Sequence, residues 1–281
     1  MKESSPSKSP QKSEISKTES PKKDIQSPES KEPGSPVTSP KKKEKVWLDD
    51  EYYPENHKEK TAKQLEIPKI FGKYSGCMGL ESFKRYNIHY IDDHSIMTVA
   101  GNCYFIINLD TKEEKVFLGN DWGGVSSIAI HPNKKYYAVS EKGTFPNIYI
   151  YEFPSLKLYR ILRKGTEKSY SNIEFSPTGT KLAAVGGEPD YLLSIWDWKQ
   201  EKIILKFKAF SQDIFRVKFS PITDEVLFTS GTGHIRFWKM TSTFTGLKLQ
   251  GDIGKFGTLE LSDIAGFAEL PSGKVASGTE Y

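Results

Sequence analysis

Cysteine is almost missing from this 281-residue chain: Cys77 and Cys103 are the only two, and neither sits in a CxxC pair or a Cys/His cluster. That excludes a disulfide-stapled scaffold and a zinc module of ordinary spacing, and it suits a reducing compartment. The N-terminus lacks the apolar stretch of a secretory signal. No apolar run approaches the roughly 20 residues needed to cross a bilayer. The expectation is a soluble, intracellular protein with no membrane partner. The GxSxG, HExxH and kinase signatures are missing as well. No catalytic, cofactor-binding or metal-binding residue is assigned, and no small-molecule substrate is expected.

Aromatic residues are missing from one region in particular. Residues 1–45 contain no Phe, Tyr, Trp, Leu or Cys, and their only branched apolar residues are Ile15, Ile25 and Val37. Such a Ser/Pro/Lys/Glu segment cannot bury enough apolar surface to offset the entropy of ordering. A disordered tail and linker is expected over 1–65, with a folded region over 66–281. The tail holds 11 Lys against 7 Asp and Glu, a net of +4. The whole chain is also +4, so the remainder is neutral: 29 basic against 29 acidic residues. The folded part therefore carries no electrostatic footprint of a nucleic-acid partner.

Six Ser-Pro steps punctuate the tail, at Ser5, Ser9, Ser20, Ser27, Ser35 and Ser39. They are candidate phosphorylation sites, each adding about −1.5 to −2 charges. An inert solvated linker is the plainer alternative. Lys41-Lys42-Lys43-Glu44-Lys45 is the densest basic run, and it is followed by an aromatic and acidic patch, Trp47 to Pro54. The basic run suits an acidic surface, although such runs are more often simply solvated.

What the remainder does have is self-similarity. Three segments share one pattern: IAIHPNKKYYAVS then IYIYEFPSLKLY, IEFSPTGTKLAAVGG then LSIWDWKQEKIILKF, and VKFSPITDEVLFTSG then HIRFWKMTSTFTGLKL. Turn prolines Pro132, Pro177 and Pro221 fall 45 and 44 residues apart. The aromatics closing the third strand, Tyr151, Trp196 and Trp238, are spaced 45 and 42. Weaker copies flank these units, the last with Pro271 in the turn position. Alternating apolar residues such as Val217/Phe219 and Ile235/Phe237 suit pleated strands. Four short strands per 40–45 residues is the period of a propeller blade. The predicted fold is an all-β propeller segment of about four to five blades, an open arc with an unpaired terminal sheet, and the chain is read as a fragment ending inside a blade.

Phe175-Ser176-Pro177, Phe219-Ser220-Pro221, Ile195-Trp196-Asp197 and Phe237-Trp238-Lys239 resemble the WD-repeat family. Two departures stand out. The family's Gly-His is Gly165-Thr166 in one unit and Ala209-Phe210 in the next, and its tight-turn Asp is missing near Thr232. The His-Ser-Asp-Trp network of a regular blade is thus incomplete, and apolar packing is expected to hold the blades. The runs PDYLLSIWDWKQEKIIL, AFSQDIFRVKFSP, TSGTGHIRFWKMTSTFTGLKLQG and GFAELPSGKVASGTEY, within roughly 80–281, are similar to the N-terminal propeller of the WD-repeat cilia- and flagella-associated proteins. That resemblance implies a longer axonemal protein with further repeats and a coiled coil. It implies partners in an axonemal complex, dynein-tether components and tubulin among them, and a role in ciliary and sperm-flagellar motility. A general WD adaptor of another cytoplasmic complex is the alternative.

The remaining candidates favour plain readings. Gly231-Thr232-Gly233-His234 lacks a phosphate-loop lysine and precedes a strand, so it is a turn. Asp92-Asp93-His94 is a solvated turn, His131 fills the Ser slot of the Ser-Pro turn, and Cys103 is a buried inert thiol. Trp196 and Trp238 are packing residues. Trp198, two residues beyond Trp196, is expected to be partly exposed and is the best aromatic candidate for a partner contact.

Overall fold

The computed structural model describes residues 62–64, 84–120, 123–257 and 262–279. The six tail serines, the 47–54 patch, Cys77 and Trp122 lie outside the described residues. Every named element is a β-strand. The first sheet contains β1 (Lys63–Gln64), β2 (Ile88–Tyr90), β3 (Ser95–Ala100), β4 (Cys103–Asn108) and β5 (Glu114–Leu118), in the order β1-β5-β4-β3-β2. Lys63–Gln64, expected to be linker, thus extends this sheet by pairing with Phe117 and Leu118.

Three four-stranded antiparallel sheets follow, each in simple chain order. The second blade is β6 (Val125–Ile130), β7 (Tyr136–Glu141), β8 (Ile148–Glu152) and β9 (Leu158–Leu162). The third is β10 (Tyr170–Phe175), β11 (Lys181–Gly186), β12 (Leu192–Asp197) and β13 (Lys202–Lys208). The fourth is β14 (Ile214–Phe219), β15 (Val226–Gly231), β16 (His234–Thr243) and β17 (Gly246–Ile253). A two-stranded sheet, β18 (Ile264–Glu269) and β19 (Val275–Thr279), ends the described chain.

Sequence chemistry explains the turns. Pro132, Pro177 and Pro271 each follow the residue whose carbonyl closes a tight turn: His131 O accepts from Lys134 N at 2.8 Å, Ser176 O from Gly179 N at 2.8 Å, and Leu270 O from Gly273 N at 2.9 Å. Proline presets φ, and the closing residue must adopt positive φ, as Gly179 (+74°) and Gly273 (+75°) do at little cost. Pro221 stands in the same place after β14, in a longer turn. One feature recurs without any letter pattern. A β-bulge falls at the second residue of the inner strand in four blades, between Val125/Ser127, Tyr170/Asn172, Ile214/Arg216 and Ile264/Gly266. Bulges raise local twist, and repeating one keeps the inner strands aligned around an axis.

The core lies between blades. Trp196 and Trp198 pack with Ile148, Ile150 and Tyr159 of the preceding blade, and Trp238 packs with Val185, Leu193 and Ile195. Inner strands sit side by side, β6 against β10 and β10 against β14. The arc is narrow at its centre. Tyr86, just before β2, lies with its ring 3.4 Å beneath the Arg216 guanidinium and against Gly266, so the first blade meets the fourth and fifth at the axis. Cys103 is half-buried rather than fully enclosed, because it opens β4 directly after the Gly101-Asn102 turn.

Candidate functional site: interblade seams and the channel mouth

A sheet that presents apolar residues on both faces must dispose of its polar groups at its ends. Here they meet at the seams between blades. At the seam of the second and third blades, the Gly179 carbonyl accepts from two donors, His131 Nε2 at 3.0 Å and Trp198 Nε1 at 2.7 Å. Around them, His131 stands edge-on to Phe175 and Trp198, with ring centroids 5.0 and 5.4 Å away. Burial holds the His131 pKa below its usual value, against the opposing hydrogen bonds of Gly179 and Asn133. Trp198 is 0% exposed, which corrects the expectation of a partly exposed partner contact. The cause is local. Strand β12 ends at Asp197, whose Oδ1 accepts from Gln200 N at 3.2 Å. The chain turns there and folds the indole back under the next turn.

Asp224 builds the seam of the third and fourth blades. Its carboxylate accepts from Thr178 N at 3.3 Å, from the Thr178 hydroxyl, and from Thr180 Oγ1 at 3.0 Å, with Lys181 Nζ at 3.6 Å. Burial alone would raise its carboxyl, but the hydrogen bonds from Thr178, Ser176 and Thr180 outweigh it and hold it below the usual range. Further out, the buried Arg160 donates from Nε to Lys199 O at 2.7 Å, and Glu201 Oε1 accepts from Ile161 N at 3.1 Å.

The blade network is divided among blades rather than lost. Asp190 bonds the Thr166 hydroxyl at 2.8 Å and the Glu167 amide at 3.0 Å, while Ser194 Oγ donates to Gly165 O at 3.1 Å. So the third blade does have an Asp partner for its loop. It stands in the longer Gly187–Tyr191 connection, away from the two-residue turn where the family pattern has its Asp. The fourth blade keeps the other half: Trp238 Nε1 donates to Thr229 Oγ1 at 2.9 Å. There Phe210 stacks on the buried His234 with centroids 3.7 Å apart. The second blade substitutes Asn120, whose amide reaches Glu141 Oε1 at 2.5 Å and whose Nδ2 reaches Tyr151 Oη at 2.6 Å. Asp92-Asp93-His94 is an exposed turn in which His94 faces Asp110 at 2.6 Å. Thr232–Gly233 is the two-residue link between β15 and β16.

Where the inner strands end at Pro132, Pro177 and Pro221, the channel opens into a cavity of about 540 Å³. Its charged lining is His89, Glu174, Arg216 and Lys218. Burial raises the Glu174 carboxyl to about 7, against the lowering pull of Arg216 and Lys218. Burial also lowers His89, with Arg216 adding to it. Among the described residues no group of three or more His, Cys, Asp or Glu could hold a metal ion. What this mouth offers a partner is charge and shape.

Bulged four-stranded sheets repeated about an axis, tryptophans packed where the second blade meets the third and the third meets the fourth, and proline turns at one face define a WD-type β-propeller segment. No protein-family model matches the chain. Among curated proteins, it is 48% identical to Cilia- and flagella-associated protein 44 of Mus musculus over 221 residues, 79% of this chain. It is 48% identical to the protein of that name from Chlamydomonas reinhardtii over 209 residues, 72% of this chain. More remotely, it is 27% identical to the 77 kDa echinoderm microtubule-associated protein of Lytechinus variegatus over 163 residues, 55% of this chain and 24% of that protein. The chain is thus a homologue of cilia- and flagella-associated protein 44, and it spans 12% of the length of the two ciliary relatives.

Proposed function

We propose that this protein is a non-catalytic scaffold of the ciliary and flagellar axoneme that helps tether dynein to the doublet microtubule. The observation that carries the reading is the 48% identity to Cilia- and flagella-associated protein 44 across the blades. The likeness to a microtubule-associated protein supports a position close to tubulin. The chemistry supports a scaffold as well. The buried histidine, aspartate and arginine groups His131, Asp224 and Arg160 serve to join blades. The partners are proteins of the axonemal complex.

The test is deletion of the gene in a flagellated cell, with tomography of the axoneme and recording of the beat. Loss of inner-arm dynein heads from their fixed positions, with an altered waveform, is the expected result. Normal head positions and a normal beat would refute the tethering role.

A further inference from the structure

The other end of the channel, beside the first residues of the inner strands, holds a second cavity of about 330 Å³. Its wall brings together Lys84 and Arg85 before β2, Lys142 after β7, Ser169 and Ser171 at the start of β10, and one acid, Asp213. Three basic residues thus line this cavity with a single acidic one. The fold positions each of them. Lys84 Nζ donates to Ser126 O at 2.7 Å and Val125 O at 3.2 Å. The Arg85 guanidinium lies 4.6 Å above the Phe215 ring. The Lys142 backbone donates to Gly124 O at 2.9 Å and bridges to Ser169. Gly123 approaches the Lys142 carbonyl so closely that a Cβ there would stand 1.7 Å from it.

The two serine hydroxyls are neighbours. Both lie close to Gly187, where a built Cβ would be 3.0 Å from Ser169 Oγ and 3.4 Å from Ser171 Oγ. Preset cations beside hydroxyl donors in a small polar cavity complement an oxyanion. A nucleobase is a poorer match. Of the aromatic residues in the wall, Tyr86 and Phe215 are covered by the guanidinium groups of Arg216 and Arg85, and Tyr170 is buried.

We propose that this cavity recognises one oxyanion group, a carboxylate or a phosphate carried by a partner polypeptide. This does not depend on the ciliary role. The test measures thermal unfolding of the full chain at fixed ionic strength, with chloride, inorganic phosphate, or five-residue peptides centred on phosphoserine or glutamate. Wild type and the remote surface variant Lys134→Ala should gain about 2 °C or more with at least one oxyanion probe at saturation. Lys142→Ala and, independently, Ser171→Ala should lose at least half of that gain. Whichever peptide protects identifies the source of the oxyanion. Equal gains in wild type and in both cavity variants, or no gain over chloride with any probe, would overturn the proposal.

Discussion

Replacing Trp198 with phenylalanine should destabilise the protein by about 2 kcal/mol. About 1 of this is the lost indole hydrogen bond to Gly179 O, and about 1 is lost ring packing at a fully buried site. The single change leaves Gly179 O satisfied, because His131 Nε2 remains 3.0 Å away. His131→Ala is the mirror case, with the indole still donating. Removing both donors leaves a buried carbonyl with neither side-chain partner, which costs about a further 1–3 kcal/mol. The double variant should therefore lose more than the sum of the two singles, by at least about 1 kcal/mol. Urea unfolding followed by intrinsic fluorescence measures all four corners of the cycle. The single Trp198 change should lower the midpoint by about 1 M, at an ordinary urea slope of about 2 kcal/mol per M. Exposed positions change stability by less than about 0.5 kcal/mol on substitution. A Trp198→Phe effect that small, or additivity within about 0.3 kcal/mol, would refute the latch.

Two further perturbations concern acid–base chemistry in the third and fourth blades. Asp224→Ala should cost about 1–3 kcal/mol in a thermal melt through the lost hydrogen bonds to the carboxylate, a loss limited because the exposed Thr178 and Thr180 can turn to water. The folded-state carboxyl of Asp224 is held below its ordinary 3.8, so its contribution is complete above that pH and fades as the pH falls through the lower folded value. Asp224→Asn should accordingly lose less stability than wild type between pH 4 and lower values, as judged by melts across that range. Glu174 has the opposite sign. With its carboxyl at about 7 against an ordinary 4.5, the folded state binds the extra proton between those values, and stability falls as pH rises across that window. Glu174→Gln should flatten that slope and be at least as stable as wild type at pH 8. A variant that melts lower there, with the slope intact, would contradict the assignment.

The repeat was legible in sequence because a propeller spaces its turn prolines and strand-ending aromatics at fixed intervals. Pro132, Pro177, Pro271, Trp196 and Trp238 all occupy equivalent places in their blades. Features set by three-dimensional register were harder to see. Strand alternation alone would place Trp198 on the buried face of Trp196; exposure is expected only because the strand ends at Asp197, and nothing in the sequence marks the turn that folds the indole back onto Gly179 O. Asp190 was overlooked because it lies in a longer connection than the regular pattern allows. The polar pair Lys63–Gln64 has no strand signature of its own and pairs only because β5 offers an edge. The repeated bulge leaves no residue pattern. The titratable groups of the channel mouth come from different blades, with His89, Glu174 and Lys218 lying 85 and 44 positions apart in the chain, so only the curvature of the arc brings them together.

The central claim is that these divergent blades form part of an axonemal scaffold. It is tested most directly by expressing the tagged full-length protein in a flagellated cell, removing the membrane with detergent, and measuring where the tag goes. The account predicts retention with the axoneme along its length, released only by salt concentrations that strip structural complexes. Complete recovery in the detergent-soluble fraction, or a tag confined to the cell body, would contradict it.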